Sequence, residues 1–177
     1  MNLYVVRHGE TNWNRERRVQ GITDIPLTDK GIETAKELIP IIRKLNIDIV
    51  ISSPLKRAKD TAKILVESKI PINTDDRIKE RDWGFNEGAN IDDVDRIDCW
   101  DLVLNTKVNN IECIQDFMYR VSDFLEEIEV KYRDKNILIV THSAVSRVIH
   151  YLLEEIPNDG DLSKINIPNL RIVEYKI

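Results

Sequence analysis

The N-terminal segment of the chain begins with an apolar run from Leu3 and ends abruptly in polar residues. Arg7, His8 and Gly9 follow the run at once. The run predicts a buried strand, and the glycine after it predicts a tight turn. Because open α/β sheets bind ligands at the carboxyl ends of their strands, Arg7 and His8 are predicted to lie at a ligand site. The fixed charge of Arg7 disfavours a second positive charge, which favours a neutral imidazole on His8.

Two later apolar runs end in residues that suit the same kind of site. The first precedes Ser53 and Pro54, which predict a helix with Ser53 as its N-cap, and Arg57 then falls in the first helical turn. A cation at the positive end of a helix is explained by an anion that both groups face. The alternative for Arg57 is a surface arginine paired with a carboxylate. The other run precedes His142 and Ser143, where a further helix is predicted to begin.

The order of predicted elements is strand, loop, helix, strand, helix, strand, insertion, helix, strand, helix, strand. This order predicts an α/β fold, a three-layer α/β/α sandwich with a mainly parallel central sheet, in one domain over residues 1–177. The polar stretch Asn12–Thr23 is predicted to be a loop over the first strand's end. A helix is predicted after the capping residue Thr28, with a kink or break at Pro40. A short insertion at about 86–111 is predicted to cover the site.

Composition limits the classes of partner and compartment. Hydrophobic residues make up 42% and charged residues 32% of the 177 residues, which indicates a folded domain. The net charge is -5 without a basic tract, so nucleic acid is not an expected partner. We expect a cytoplasmic protein without membrane contact, since no apolar run has membrane-spanning length and no signal-peptide pattern is seen. Cys99 and Cys113 lack metal spacing and an arginine six positions later, which excludes the cysteine-phosphatase loop.

Two histidines and two arginines are predicted to meet above one edge of the sheet: Arg7, His8, Arg57 and His142. Such a set suits phosphoryl transfer, in which His8 attacks phosphorus in line and the other three side chains hold the non-bridging oxygens. A carboxylic acid must then protonate the leaving oxygen. A metal site formed by His8, His142, Glu10 and Glu80 is the alternative. Those four residues lack local ligand spacing, and the arginines would oppose a cation, so no metal is predicted.

Four motifs in this order resemble those of the histidine phosphatase superfamily, which has the phosphoglycerate mutase-like fold. They are Arg7-His8-Gly9-Glu10-Thr11, Ser52-Ser53-Pro54-Leu55-Lys56-Arg57-Ala58, Glu80 before Trp83-Gly84, and Thr141-His142. The resemblance extends from Leu3 to Asn169. It implies that His8 becomes phosphorylated and that Glu80 is the proton donor. It further implies that Arg7 and Arg57 clamp the phosphate, with His142 as the second histidine of the pocket.

The resemblance also implies a set of substrate-binding residues around the phosphate: Asn14, Gln20, Gly21 and Ser143. Ser143 stands where the family usually has glycine. Its backbone N–H can still face an anion, while its side chain narrows the pocket.

The segment after Gly84 bears on whether the chain resembles the phosphatases or the phosphoglycerate mutases of this family. The family's mutases carry a longer insertion there, with paired arginines and a lysine for the substrate carboxylate and second phosphate. Here the segment is short, and its residues 86–101 hold six carboxylates against the single cation Arg96, namely Glu87, Asp92, Asp93, Asp95, Asp98 and Asp101. Six carboxylates near the mouth are expected to disfavour a substrate with several negative charges.

The predicted function is therefore a metal-independent phosphatase without a cofactor. It would hydrolyse phosphomonoesters of small metabolites through phospho-His8, with Glu80 acting first as acid and then as base. A cofactor-dependent phosphoglycerate mutase is the first alternative, and a non-catalytic protein-binding domain is the second. The expected partner is a small phosphorylated metabolite, neither nucleic acid nor membrane, with a homodimer left open.

Overall fold

A five-stranded sheet forms the centre of the molecule. The structure, a computed structural model, describes residues 1–94 and 98–177. The strands are β1 (Asn2–Arg7), β2 (Ile49–Ser52), β3 (Ile72–Thr74), β4 (Asn136–Thr141) and β5 (Ile172–Lys176). Their spatial order is β3-β2-β4-β1-β5, and all neighbours are parallel except β5, which runs antiparallel to β1. The mainly parallel sheet is thus confirmed.

Helices cover both faces of this sheet. The covering helices are α2 (Asp29–Glu37), α3 (Ile39–Lys44), α4 (Lys56–Leu65), α5 (Ile114–Lys131) and α6 (Ser143–Leu153), and the short helix α1 (Asn12–Arg15) follows β1. Alternate residues of β4 enter different cores, since Ile137 and Ile139 pack with α5 and α6, whereas Leu138 and Val140 pack with α2, α3 and α4. Burial on both faces explains why the strands are apolar at successive positions. The predicted three-layer sandwich is confirmed.

The parallel register brings three strand ends to one edge of the sheet. The N–H of His8 donates to the carbonyl of Thr141 at 2.9 Å, and the N–H of Ser53 donates to Val140 at 3.0 Å. The residues that follow β1, β2 and β4 therefore lie side by side. His142, directly after Thr141, is the N-cap residue of α6.

The polar stretch after β1 differs from the predicted loop at its beginning. Residues Asn12–Arg15 form the short helix α1, because Thr11 caps it. The Thr11 hydroxyl accepts from the N–H of Asn14, and the Asn14 side chain accepts from the N–H of Thr11, a reciprocal capping box. Two local hydrogen bonds thus stabilise a helix whose sequence has no apolar period.

The predicted break at Pro40 is confirmed. Helix α2, capped by Thr28 as expected, ends at Glu37, and α3 begins at Ile39 with Pro40 in its first turn. A proline has no N–H to continue the preceding helix, and its fixed φ suits the start of the next one.

The predicted N-cap at Ser53 is wrong by two residues. Helix α4 begins at Lys56 with Leu55 in the capping position. The Ser53 hydroxyl accepts from the N–H of Leu55 at 3.3 Å and lies 2.7 Å from Nε2 of His142. The local pattern assigned the Ser53 side chain to the start of α4. In the structure this side chain contacts His142, which lies 89 residues away in sequence.

The insertion at 86–111 contributes no strand to the sheet in its described part. Its described part contains the 3-10 helix Asp98–Trp100, and another 3-10 helix, Gly84–Asn86, ends where the insertion begins. Cys99 and Trp100 are buried in the core shared with α5 and α6. The described part of the segment thus packs against α5 and α6, and its role as a cover over the site stays a prediction. No helix in the described ranges is long and apolar enough to cross a membrane.

Candidate active site

His8 lies immediately after β1 with 2% of its surface exposed. Its Nδ1 is 2.7 Å from the carbonyl oxygen of Gly9. Because a carbonyl only accepts, Nδ1 must carry the proton, and the lone pair of the neutral ring is on Nε2. Burial lowers the pKa of His8 well below its usual value, and the charges of Arg57 and Arg7 lower it further. The ring is therefore neutral and has a nucleophilic nitrogen, Nε2.

Arg7 and Arg57 hold different places in the site. Arg7 lines the pocket and donates from Nη1 to the carbonyl of Ile167 at 2.9 Å. Arg57 is completely buried, which excludes the surface alternative, and donates from Nη1 to Thr23 O and from Nη2 to Gly21 O. Burial lowers the pKa of Arg57 to about 10, so it stays a cation at neutral pH. Direct phosphate binding by Arg57 stays a prediction, since both Nη atoms hold loop carbonyls.

His142 lies beside His8, with ring centroids 5.2 Å apart and planes tilted by 59°. Its Nε2 is 2.7 Å from the Ser53 hydroxyl, whereas its buried Nδ1 has no hydrogen-bond partner among the described residues. Burial lowers the pKa of His142 well below its usual value, and Arg57 adds to this shift. A buried nitrogen without a partner is a place where a ligand oxygen can bind.

Glu80 supplies the carboxyl group of the site and is 5% exposed. Its Oε1 accepts from the N–H of Arg81 at 2.9 Å, and its Oε2 lies 3.4 Å from the N–H of Ala144. Burial raises the pKa of Glu80, although the nearby charges of Arg57 and Arg7 partly oppose this. A carboxyl group that keeps its proton toward neutral pH can act as a general acid.

These groups surround one cleft of about 310 Å³. Six of the predicted site residues line it: Arg7, His8, Asn14, Gln20, Glu80 and Ser143. The lining does not include Arg57, His142 or Gly21. His142 packs against the ring of His8, and Arg57 fastens the loop that carries Gly21. The structure therefore brings all nine predicted residues to one edge of the sheet. Six of them line the cleft, and the other three lie behind this lining.

Gly21 supports this site through its backbone. Its carbonyl accepts from Arg57, and a Cβ at position 21 would lie 1.9 Å from Oε1 of Glu87 and 3.0 Å from the carbonyl of Arg81. The Glu87 carboxylate accepts from the N–H groups of Ile22 and Thr23, each at 2.8 Å. The close approach of this carboxylate therefore requires a residue without a side chain.

The repulsion expected from the acidic segment stays a prediction, since its described carboxylates lie outside the lining of the cleft. Of its six acidic residues, the five in the described ranges do not line the cleft, and Asp95 and Arg96 lie outside those ranges. Glu87 binds backbone N–H groups, Asp92 pairs with Arg17 at 2.6 Å, and Asp101 accepts from the N–H of Val103. The cleft carries four arginines against Glu80 among its described lining residues, namely Arg7, Arg17, Arg18 and Arg147.

Several lining residues were not predicted, among them Arg18, Trp83, Trp100, Arg147, Asn166 and Asn169. Arg147 lies one helical turn after Ser143, and this spacing of four residues was a usable signal. It stands 4.1 Å over the ring of Trp100, and its Nε donates to Ile165 O. Asn166 and Asn169 come from the loop before β5, and nothing in their local sequence indicates a site.

Glu87→Ala is expected to lower the free energy of unfolding by about 2 kcal/mol, because the loop N–H groups at Ile22 and Thr23 lose a charged acceptor. Asp92→Ala is the matched control, since it removes one exposed ion pair with Arg17 and should cost less than about 1 kcal/mol. Urea unfolding of both variants measures the difference. Equal losses would show that Glu87 does not organise the loop.

A neutral histidine, buried cations and a protonatable carboxyl at the strand ends of a mainly parallel sheet define an α/β protein of the phosphoglycerate mutase-like class. The chain belongs to the histidine phosphatase superfamily (branch 1), whose family model matches residues 3–177. It is 36% identical over 167 residues to the uncharacterized phosphatase PhoE of Bacillus subtilis (strain 168), covering 93% of this chain and 82% of that protein.

Two further similarities show the range of the family. The chain is 36% identical over 149 residues to the probable phosphoglycerate mutase GpmB of Enterobacter sp. (strain 638), covering 80% of this chain and 69% of GpmB. The solved structure of the alpha-ribazole phosphatase from Shigella flexneri superposes with a TM-score of 0.84 at 26% identity, covering 100% of this chain and 91% of that one. Phosphatases and mutases both occur among these proteins.

Proposed function

We propose that the protein is a phosphatase that hydrolyses phosphomonoesters of small metabolites through a phosphohistidine on His8. The observation that carries this proposal is the contact between His8 Nδ1 and the Gly9 carbonyl, which leaves Nε2 as the nucleophile. His8 lines the same cleft as Glu80, whose pKa burial raises. The similarity to a phosphatase over 93% of the chain supports the same reading.

In the first chemical step, Nε2 of His8 attacks phosphorus and the ester P–O bond breaks. Protonated Glu80 gives its proton to the leaving oxygen, so the product is an alcohol and Glu80 becomes a carboxylate. Arg7 in the cleft stabilises the charge that spreads over the phosphoryl oxygens. The low pKa of His8 favours this step because the ring starts neutral.

In the second step, water attacks the phosphoryl group and the N–P bond breaks. The Glu80 carboxylate takes the proton from water, which restores the acid and releases inorganic phosphate. The positive charge that the transition states need comes from the arginine side chains, so the proposed reaction uses no metal ion. No group of three His, Cys, Asp or Glu side chains placed to hold a metal occurs in the described ranges.

A phosphoglycerate mutase is the second candidate, and the four arginines around the cleft favour it. They could hold the carboxylate of a phosphoglycerate, and the probable mutase GpmB is a relative of this chain. The short insertion favours a phosphatase, since the family's mutases carry paired arginines there, whereas residues 86–111 of this sequence contain the single arginine Arg96.

Hydrolysis of p-nitrophenyl phosphate in excess EDTA is expected to proceed at the rate seen without EDTA. Vanadate should inhibit it, because vanadate resembles the transferring phosphoryl group. A parallel assay follows interconversion of 2- and 3-phosphoglycerate after priming with the bisphosphate. Complete loss of hydrolysis in EDTA would contradict the metal-free mechanism, exchange faster than hydrolysis would favour the mutase, and absence of both would favour a binding domain.

A further inference from the structure

A short segment before β5 is fastened to the backbone that carries the nucleophile. We call residues 167–170 the C-terminal clasp. Its carbonyl at Ile167 accepts from Nη1 of Arg7 at 2.9 Å, and its N–H at Leu170 donates to the carbonyl of Arg7, also at 2.9 Å. Leu170 is buried with a positive φ of 59°, a conformation that bulky side chains rarely adopt. Tertiary contacts therefore hold the clasp in place.

Asn169 is the clasp residue that reaches furthest into the site. Its Nδ2 lies 2.7 Å from the carbonyl of His8, 3.3 Å from the carbonyl of Gly9 and 3.4 Å from Oδ1 of Asn14. Both backbone groups are acceptors, so the side chain must present its NH2 group to them. One amide thus joins the two residues of the nucleophile turn to a residue of α1.

The Gly9 carbonyl is also the group that accepts from Nδ1 of His8 at 2.7 Å. Asn169 therefore holds the acceptor that decides which ring nitrogen of His8 carries the proton. The tautomer of a histidine is set by the hydrogen bond that its other nitrogen makes. If the Gly9 carbonyl moved, the His8 ring would lose the hydrogen bond that fixes both its orientation and its tautomer.

Asn169 also holds the side chain of Asn14 in one orientation, through the contact of its Nδ2 with Oδ1 of Asn14. Oδ1 of Asn14 also accepts from the N–H and the hydroxyl of Thr11, each at 3.1 Å. With its oxygen bound to these donors, Asn14 has its Nδ2 group left to bind a ligand in the cleft that it lines.

We propose that Asn169 is a positioning residue, which orients the His8 ring through the Gly9 carbonyl and orients the amide of Asn14 toward the substrate phosphate. The kinetic part of this proposal rests on the proposed phosphatase function. The structural part rests on the hydrogen bonds alone.

The experiment compares two substitutions that add the same charge to one wall of the cleft. Asn169→Asp replaces the donor by a carboxylate facing two carbonyl oxygens. Asn166→Asp is the control, because Asn166 is exposed, lines the same cleft and makes no hydrogen bond to the His8 turn. We expect kcat for p-nitrophenyl phosphate to fall about 100-fold in Asn169→Asp and by about tenfold or less in Asn166→Asp, where a charge is added to the cleft without loss of a hydrogen bond to the His8 turn.

A second measurement follows the tautomer directly. The chain has three histidines, so the ring signals of His8 in a 15N-labelled sample can be assigned with His8→Asn. We expect a slowly exchanging Nδ1–H signal in the parent protein, and exchange about fivefold faster in Asn169→Ala. Asn169→Ala adds no charge. If Asn169→Asp does not fold, Asn169→Ala still tests whether Asn169 positions the His8 ring.

Equal falls of kcat in the two aspartate variants would overturn the proposal, since added charge alone would then explain them. An unchanged His8 Nδ1–H signal in folded Asn169→Ala would overturn it as well. If the parent protein hydrolyses no phosphomonoester, the proposed function fails, while the His8 signal still tests the positioning role.

Discussion

His8→Asn is expected to lower kcat for phosphomonoesters by at least about 10⁴-fold, because the attacking nitrogen is removed. The parent protein, quenched during turnover of a 32P-labelled ester, should carry one phosphoryl group that is labile in acid and stable in base, as expected of an N–P bond. The variant should carry none. Both measurements follow from a buried neutral ring whose Nδ1 is held by the Gly9 carbonyl.

His150→Ala is the matched control for this change. His150 lies on α6, is partly exposed, and its Nδ1 is 3.2 Å from the hydroxyl of Tyr175. Because it does not line the cleft, kcat should stay within about threefold of the parent value. Retained turnover in His8→Asn, or a phosphoryl group still present on it, would rule out His8 as the nucleophile.

Glu80→Gln is expected to lower kcat/KM for an alkyl phosphate by about 10²- to 10⁴-fold, because an alkoxide leaves poorly without a proton. For p-nitrophenyl phosphate, whose leaving group needs no proton, kcat/KM should change much less. This parameter reports the attack on phosphorus, while the hydrolysis of phospho-His8 affects kcat with both substrates. Equal losses of kcat/KM for the two esters would contradict the role of Glu80 as proton donor.

The pH dependence follows from the directions of the two pKa shifts. The pKa of His8 is lowered, so activity should fall on the acid side only when pH drops through this low pKa. The pKa of Glu80 is raised, so its acid form persists to higher pH, and kcat/KM for the alkyl ester should fall as pH rises through it. In Glu80→Gln this alkaline fall should disappear, and its persistence would assign it to another group.

Local sequence was sufficient where the controlling interactions are short in range. The apolar runs before His8 and His142 predict strands, and the small residues after His142 predict a helix start. The break at Pro40 follows from a missing N–H on one residue. Such signals act within a few residues, so the order of elements and the fold class could be derived from them.

Side-chain direction in the loops could not be derived in this way. The Ser53 hydroxyl contacts His142 rather than capping its own helix, and Glu87 binds the loop at Thr23 rather than facing the cleft. In both cases the partner lies more than 60 residues away in sequence, at 89 and 64 residues. Polar groups without regular backbone partners take whichever donors packing brings near, and charge counts along the chain do not reveal that choice.

The sequence by itself determined that Arg7, His8, Arg57 and His142 would meet, because parallel strands deliver their carboxyl ends to one edge of a sheet. Only the tertiary structure decided how they are held. It placed Arg57 beneath the cleft, and it brought Asn169 against His8 across 161 residues. The physical reason is that strand pattern and capping are local, whereas the hydrogen bonds that fix a ring nitrogen form only once distant loops have packed.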